Sequence, residues 1–123
     1  LSTTQIAGLT TAQMASLATT QIAAMETADV AALSTTQMRA FSTVQIANLT
    51  TAQIVALTSS QIPALTTTQM TGFRTTQIMA LTTAQVAALE TADIVALSST
   101  QTAAFTTAQI GAMSSAQLNA LFL

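Results

Sequence analysis

The sequence predicts an all-α solenoid of very short helices, one per eight residues, with about four repeats in each superhelical coil. Three observations lead there: an unbroken eight-residue register, an Ala-rich second half in every octad, and a longer period of four octads. Cut from Leu1, the chain gives LSTTQIAG, LTTAQMAS, LATTQIAA, METADVAA and so on, fifteen octads ending at Ala120. Leu121, Phe122 and Leu123 remain as a tail, so residues 1–123 read as a single repeat array, octads over 1–120 plus a short tail.

Within the octad, position 1 is always Leu, Met or Phe, and position 3 is always Thr or Ser. Position 5 is Gln except at Asp29 and Asp93, and position 6 is aliphatic or Met except at Thr102. Position 8 is small apart from Asn48. Positions 2, 4 and 7 drift, accepting Glu26, Arg74, Val44, Arg39 and Pro63, and are expected to face solvent.

A β-solenoid is the competing architecture, since alternation would turn positions 1, 3 and 5 inward as stacked ladders. The recurring Ala argues for helix, because Ala is a weak strand former and the best helix former. One continuous helix fails as well. At about 100° per residue, eight residues overshoot two turns by about 80°, so the Leu positions would wander round the circumference and leave no polar face. The helix must therefore break once per octad.

The hydroxyl pair supplies the break. A Ser or Thr at a helix N-cap accepts a hydrogen bond from a free N–H of the first turn, which contributes about 1 kcal/mol. With position 2 as cap, the position-5 Gln becomes the reciprocal partner of a capping box and positions 1 and 6 form a hydrophobic staple. Ala18, Glu26, Arg74 and Glu90 are poor caps for that arrangement, whereas position 3 never loses its hydroxyl. The constancy assigns the caps to Thr3, Thr11, Thr19 and their equivalents, with Gln or Asp in the first turn near the positive end of the helix dipole.

One octad buries too little to fold alone, so each must lean on neighbours, as repeat arrays do. Phe41, Phe73 and Phe105 recur at position 1 of every fourth octad, and the acidic octads at Glu26 and Glu90 stand twice that interval apart. Four octads per coil would set the Phe rings in one column; three per coil is the alternative, with the longer period recording only gene duplication.

Runs such as LTTAQIVAL, LTTTQMTGF and LTTAQVAAL resemble the octapeptide repeats that form long arrays in very large bacterial proteins of surface, adhesin-like or secreted toxin-like type. The resemblance covers the whole chain and implies a stalk or spacer in a larger extracellular bacterial protein. It brings no catalytic motif.

Composition narrows function by exclusion. Charged residues are 5% of the chain, against roughly 25% in an ordinary globular domain. A net charge of −2 leaves no basic face for nucleic acid or an anionic membrane. Mean hydropathy is +0.58, yet Thr and Gln interrupt every octad, so no membrane span is expected. With no Cys there is no disulfide framework, and with no His, Tyr, Trp or Lys either, an enzyme is not expected. Residues 1–20 lack a charged leader and an unbroken apolar run, which reads as a portion of something longer.

No catalytic, cofactor-binding or metal-ligating residue is assigned. Glu26 with Asp29 and Glu90 with Asp93 offer two carboxylates each, short of the six to eight oxygens that Ca²⁺ takes, and fit better as charges near helix N-termini. Arg39 and Arg74 are expected in solvent or paired with an acidic octad of an adjacent coil. Gly8, Gly72 and Gly111 are isolated and form no phosphate loop. Pro63 is expected to kink its octad. Asn48-Leu49-Thr50 fits a glycosylation acceptor, a triplet that arises by chance in a Thr-rich chain. The apolar tail of Phe122 and Leu123 lacks a polar cap, so neighbouring repeats or end-to-end self-association are the expected partners. The leading function is a structural spacer. The alternative is an ice- or surface-binding protein using rows such as Thr10, Thr50, Thr58, Thr66 and Thr82, and a consensus-like engineered scaffold comes third.

Overall fold

The computed structural model describes residues 3–122, and no strand occurs among them. Almost every octad carries one short helix. The first four octads hold α1 (Thr3–Ala7), α2 (Thr11–Ser16), α3 (Thr19–Ala23) and α4 (Thr27–Ala31). Next come α5 (Thr35–Arg39), α6 (Thr43–Ala47), α7 (Thr51–Ala56) and, in the octad of Pro63, a 3-10 turn at Ile62–Ala64. They are followed by α8 (Thr67–Met70), α9 (Thr75–Ala80), α10 (Thr83–Ala87) and α11 (Thr91–Ala96). The series closes with α12 (Ser99–Thr102), α13 (Thr107–Gly111) and a longer α14 (Ser115–Phe122). Pro63 distorts its octad for the expected reason: its ring carries no N–H to close a helical bond.

The caps sit at position 2, which corrects the assignment to position 3. Thr10 has extended backbone (φ −77, ψ 165) and its side chain accepts from the N–H of Gln13, while Thr11 is already the first residue of α2. Thr19 likewise lies inside α3, behind a cap at Ala18. The side chain of Thr3 lies outside those described. Ala18 and Arg74 are tolerated because the other half of the box survives: Gln21 and Gln77 each accept the cap residue's own N–H at 2.7 Å. Corners need no glycine, since among the described residues none has positive φ and the turn is made by extended residues.

Positions 1 and 6 fill the core. Ile22, Met38, Ile46, Ile54 and Ile78 are wholly buried, with Leu49, Leu65 and Phe73 nearly so. The drifting positions face outward, and Val44, Val55, Met79 and Val95 are exposed there. Thr102, the polar exception at position 6, turns its hydroxyl back onto the carbonyl of Ser99 at 3.0 Å.

Helices in contact are three octads apart, as α1 on α4, α4 on α7, α8 on α11 and α11 on α14. Side-chain hydrogen bonds between coils span 28 and 31 residues, that is 3.5 to about 3.9 octads. A coil therefore takes between three and four octads, so neither of the whole numbers weighed from the sequence holds. Helices lie like bricks in running bond, each over the junction of two helices in the previous coil. Phe41, Phe73 and Phe105 are all buried, yet their spacing of four full octads exceeds one coil, so they do not form the straight column the sequence suggests.

Two glycines test the closeness of the coils. A Cβ on Gly72 would stand 2.7 Å from the carbonyl oxygen and 2.9 Å from Cα of Thr43 in the coil below, both backbone atoms that cannot swing aside. A Cβ on Gly111 would meet nothing within 4 Å. Gly72→Ala is expected to destabilise by about 1–3 kcal/mol through overpacking. Gly111→Ala is expected to stabilise by about 0.5–1 kcal/mol. Opposite shifts of the urea midpoint would bear this out, and equal shifts would refute the packing argument.

Candidate functional site

The feature that most distinguishes this fold lies inside it, in a seam of buried glutamines. Gln37, Gln45, Gln53, Gln61, Gln69, Gln77, Gln85, Gln101, Gln109 and Gln117 are each at most 6% exposed. A buried primary amide has one acceptor and two donors to satisfy, and each of these is satisfied in the same way. In the middle of the chain, Gln77 Oε1 accepts from the N–H of Arg74 at 2.7 Å, closing the start of its own helix. Its Nε2 donates to the carbonyls of Ile46 at 2.7 Å and Leu49 at 2.9 Å, at the end of a helix one coil below.

The pattern recurs in all ten. Nε2 reaches the carbonyl 31 residues back at 2.7–2.9 Å and the one 28 residues back at 2.8–3.0 Å. Helix ends leave N–H groups free at the start and carbonyls free at the finish. One side chain here serves both kinds, in two different helices. In the first coil, Gln13 and Gln21 are exposed and keep the local half of the arrangement, accepting from the N–H of Thr10 and of Ala18.

The sequence marks position 5 as constant, and on its own that constancy yields only an acceptor near the helix start. The donors' targets stay hidden there, because they are backbone carbonyls.

Of the two acidic octads, the one at Asp93 breaks the seam, whereas Asp29 lies in the first coil, ahead of Gln37, the first of these glutamines to reach a coil below. Asp29 and Asp93 are buried, at 4% and 2% exposure, and a carboxylate has no N–H to donate. Asp93 Oδ2 has no hydrogen-bond partner. Arg39, which the sequence leaves between solvent and an acidic partner, donates from Nε to the carbonyl of Ala64 at 3.0 Å. It shares the wall of a cleft of about 290 Å³ with Pro63, Leu65, Glu90 and Asp93. Glu26 and Asp29 line a second cleft of about 240 Å³ in the first coil. Among the described residues no three His, Cys, Asp or Glu side chains come together as metal ligands. No helix among them is long and apolar enough to cross a membrane.

The threonine row considered for surface binding is made of caps. Oγ1 of Thr10, Thr50, Thr58, Thr66 and Thr82 accepts from a Gln N–H at 3.1–3.2 Å in its own octad. Those oxygens are turned toward their own backbone. Phe122 is 70% exposed, and Leu123 lies outside the described residues.

The profile of a family described as the ALTTAQ repeat matches the chain in four overlapping stretches, residues 22–59, 47–75, 59–91 and 86–122. No curated protein and no solved structure matches it.

Proposed function

The chain belongs to the ALTTAQ repeat family, and from that premise we propose that it is a non-catalytic spacer, a stiff segment that sets distance within a larger protein. The observation that carries this reading is the glutamine seam. Each coil is bonded to the next through buried amides at fixed separations, so bending would have to break hydrogen bonds that water cannot replace. Stability in such an array is a sum of neighbour interactions, and added octads extend it without redesign.

The setting that fits best is a large secreted or surface protein of a bacterium. Support comes from the resemblance of LTTAQIVAL and its relatives to the arrays of such proteins, and from a surface that relies on hydroxyls rather than charge. Labelling of intact cells by an antibody raised against the array tests that setting, and labelling only after lysis would oppose it.

Small-angle scattering tests the spacer itself. A tandem duplication of residues 1–120 should double the maximum dimension and leave the cross-section unchanged. A compact particle from either chain would overturn the reading. The exposed amides of Gln13 and Gln21 match the donors that buried glutamines use in every later coil, so the partner proposed for that face is a further coil of the same kind, from its own chain or a second copy. Sedimentation showing a monomer at all concentrations would count against pairing of copies.

A further inference from the structure

Asp93 occupies a place where ten other octads put a buried glutamine amide. Its equivalents reach carbonyls 31 and 28 residues back, which here are those of Ile62 and Leu65, flanking the distorted turn at Pro63. Among the described residues no side chain donates to either carbonyl. The Glu90 backbone N–H bonds to one side of the Asp93 carboxyl, while Oδ2 is buried and unpartnered. An ionised carboxylate at this position has no donor for those two carbonyls, whereas a protonated one supplies one O–H where the amide supplies two N–H groups.

We propose that Asp93 is a proton-operated clasp between coils: protonated, it donates its O–H to the carbonyls around Pro63 in place of the missing amide, and ionised, it releases that joint. The proton comes from solvent through the cleft that Asp93 lines. The charged neighbours are few. Neither α8 nor α14, which pack on α11, carries a charge. Glu90 stands at the N-cap position of α11, where its side chain makes no cap bond, and Arg39 lines the cleft with its Nε on the carbonyl of Ala64. Burial first, and the Glu90 charge second, push the Asp93 carboxyl up from 3.8 to about 6, against the pull of the Glu90 N–H.

A folded value above the unfolded one means that the folded chain holds a proton the unfolded chain has released. Stability therefore falls as pH rises from about 4 to about 6 and levels off above. Carbon NMR of the Asp93 carboxyl should titrate with a midpoint near 6, and the melting temperature should drop across the same window. Asp93→Gln should raise the melting temperature at pH 7 and remove most of that drop. A midpoint below 4.5, or an Asp93→Gln chain with the same pH slope, would overturn the proposal. So would a Ca²⁺-dependent rise in melting temperature that Asp93→Gln abolishes, which would make the joint a cation site instead.

Discussion

Gln77→Met is expected to destabilise the chain by about 3–5 kcal/mol, a large part of the roughly 5–15 kcal/mol that holds a domain of this size. Methionine is close to glutamine in shape, so the change opens little space and the loss comes from hydrogen bonds. Gln77 is completely buried, and without its amide three buried groups lose a partner: the N–H of Arg74 and the carbonyls of Ile46 and Leu49. The Arg74 N–H and the Leu49 carbonyl are left orphaned at about 1–3 kcal/mol each, while the Ile46 carbonyl keeps the N–H of Leu49 at 3.1 Å and loses less. The matched control is Gln21→Met, where the side chain is exposed and only the Ala18 N–H is affected. That change should cost about 0.5–1 kcal/mol, the scale of an exposed cap. Urea melts of the two variants decide the matter: similar losses would mean that the seam between coils carries little of the stability.

A deletion of half an octad should do far more damage than a deletion of a whole one. Removing residues 50–57 leaves Leu49 joined to Thr58, and every later glutamine still finds carbonyls of the right kind 28 and 31 residues back. Such a chain should fold cooperatively, with only a modest loss. Removing Thr51–Ile54 takes fewer residues but throws the downstream array half a repeat out of step. Gln61, Gln69 and Gln77 would then face the wrong positions, and Gln85 would lose the carbonyl of Ile54. Three or four broken stitches at several kcal/mol each exceed the stability of the whole chain, so the array should split or unfold. Circular dichroism and thermal melts separate the outcomes, and equal stability of the two deletions would refute the role given to register.

Much of this is legible because the octad is strict. The apolar positions 1 and 6 mark the core, the Ala-rich half marks helix, and the mismatch between one octad and two helical turns forces a corner in each repeat. The cap falls one residue from where constancy points, for an instructive reason. Position 3 is constant, but in the structure it is the first residue of the helix rather than its cap, and its side chain is exposed in most octads. The cap itself can vary because Gln supplies the more robust half of the box, which is why Ala18 and Arg74 do no harm. The long reach of the glutamine amide is out of sight for another reason. Its partners are main-chain carbonyls, which every residue possesses, so no side chain in the coil below advertises the bond. Only the acidic exceptions carry a trace of it, and their meaning needs a coil underneath.

The coil that closes after 28 to 31 residues and the sequence that recurs after four full octads act together as a vernier. Each recurrence arrives slightly late, so any mark carried at that interval precesses round the axis instead of climbing it in a straight file. A planar crystalline partner would meet equivalent side chains only over a short arc before they rotated out of reach. A partner that winds about the shaft with the same drift would keep them in view along its whole length.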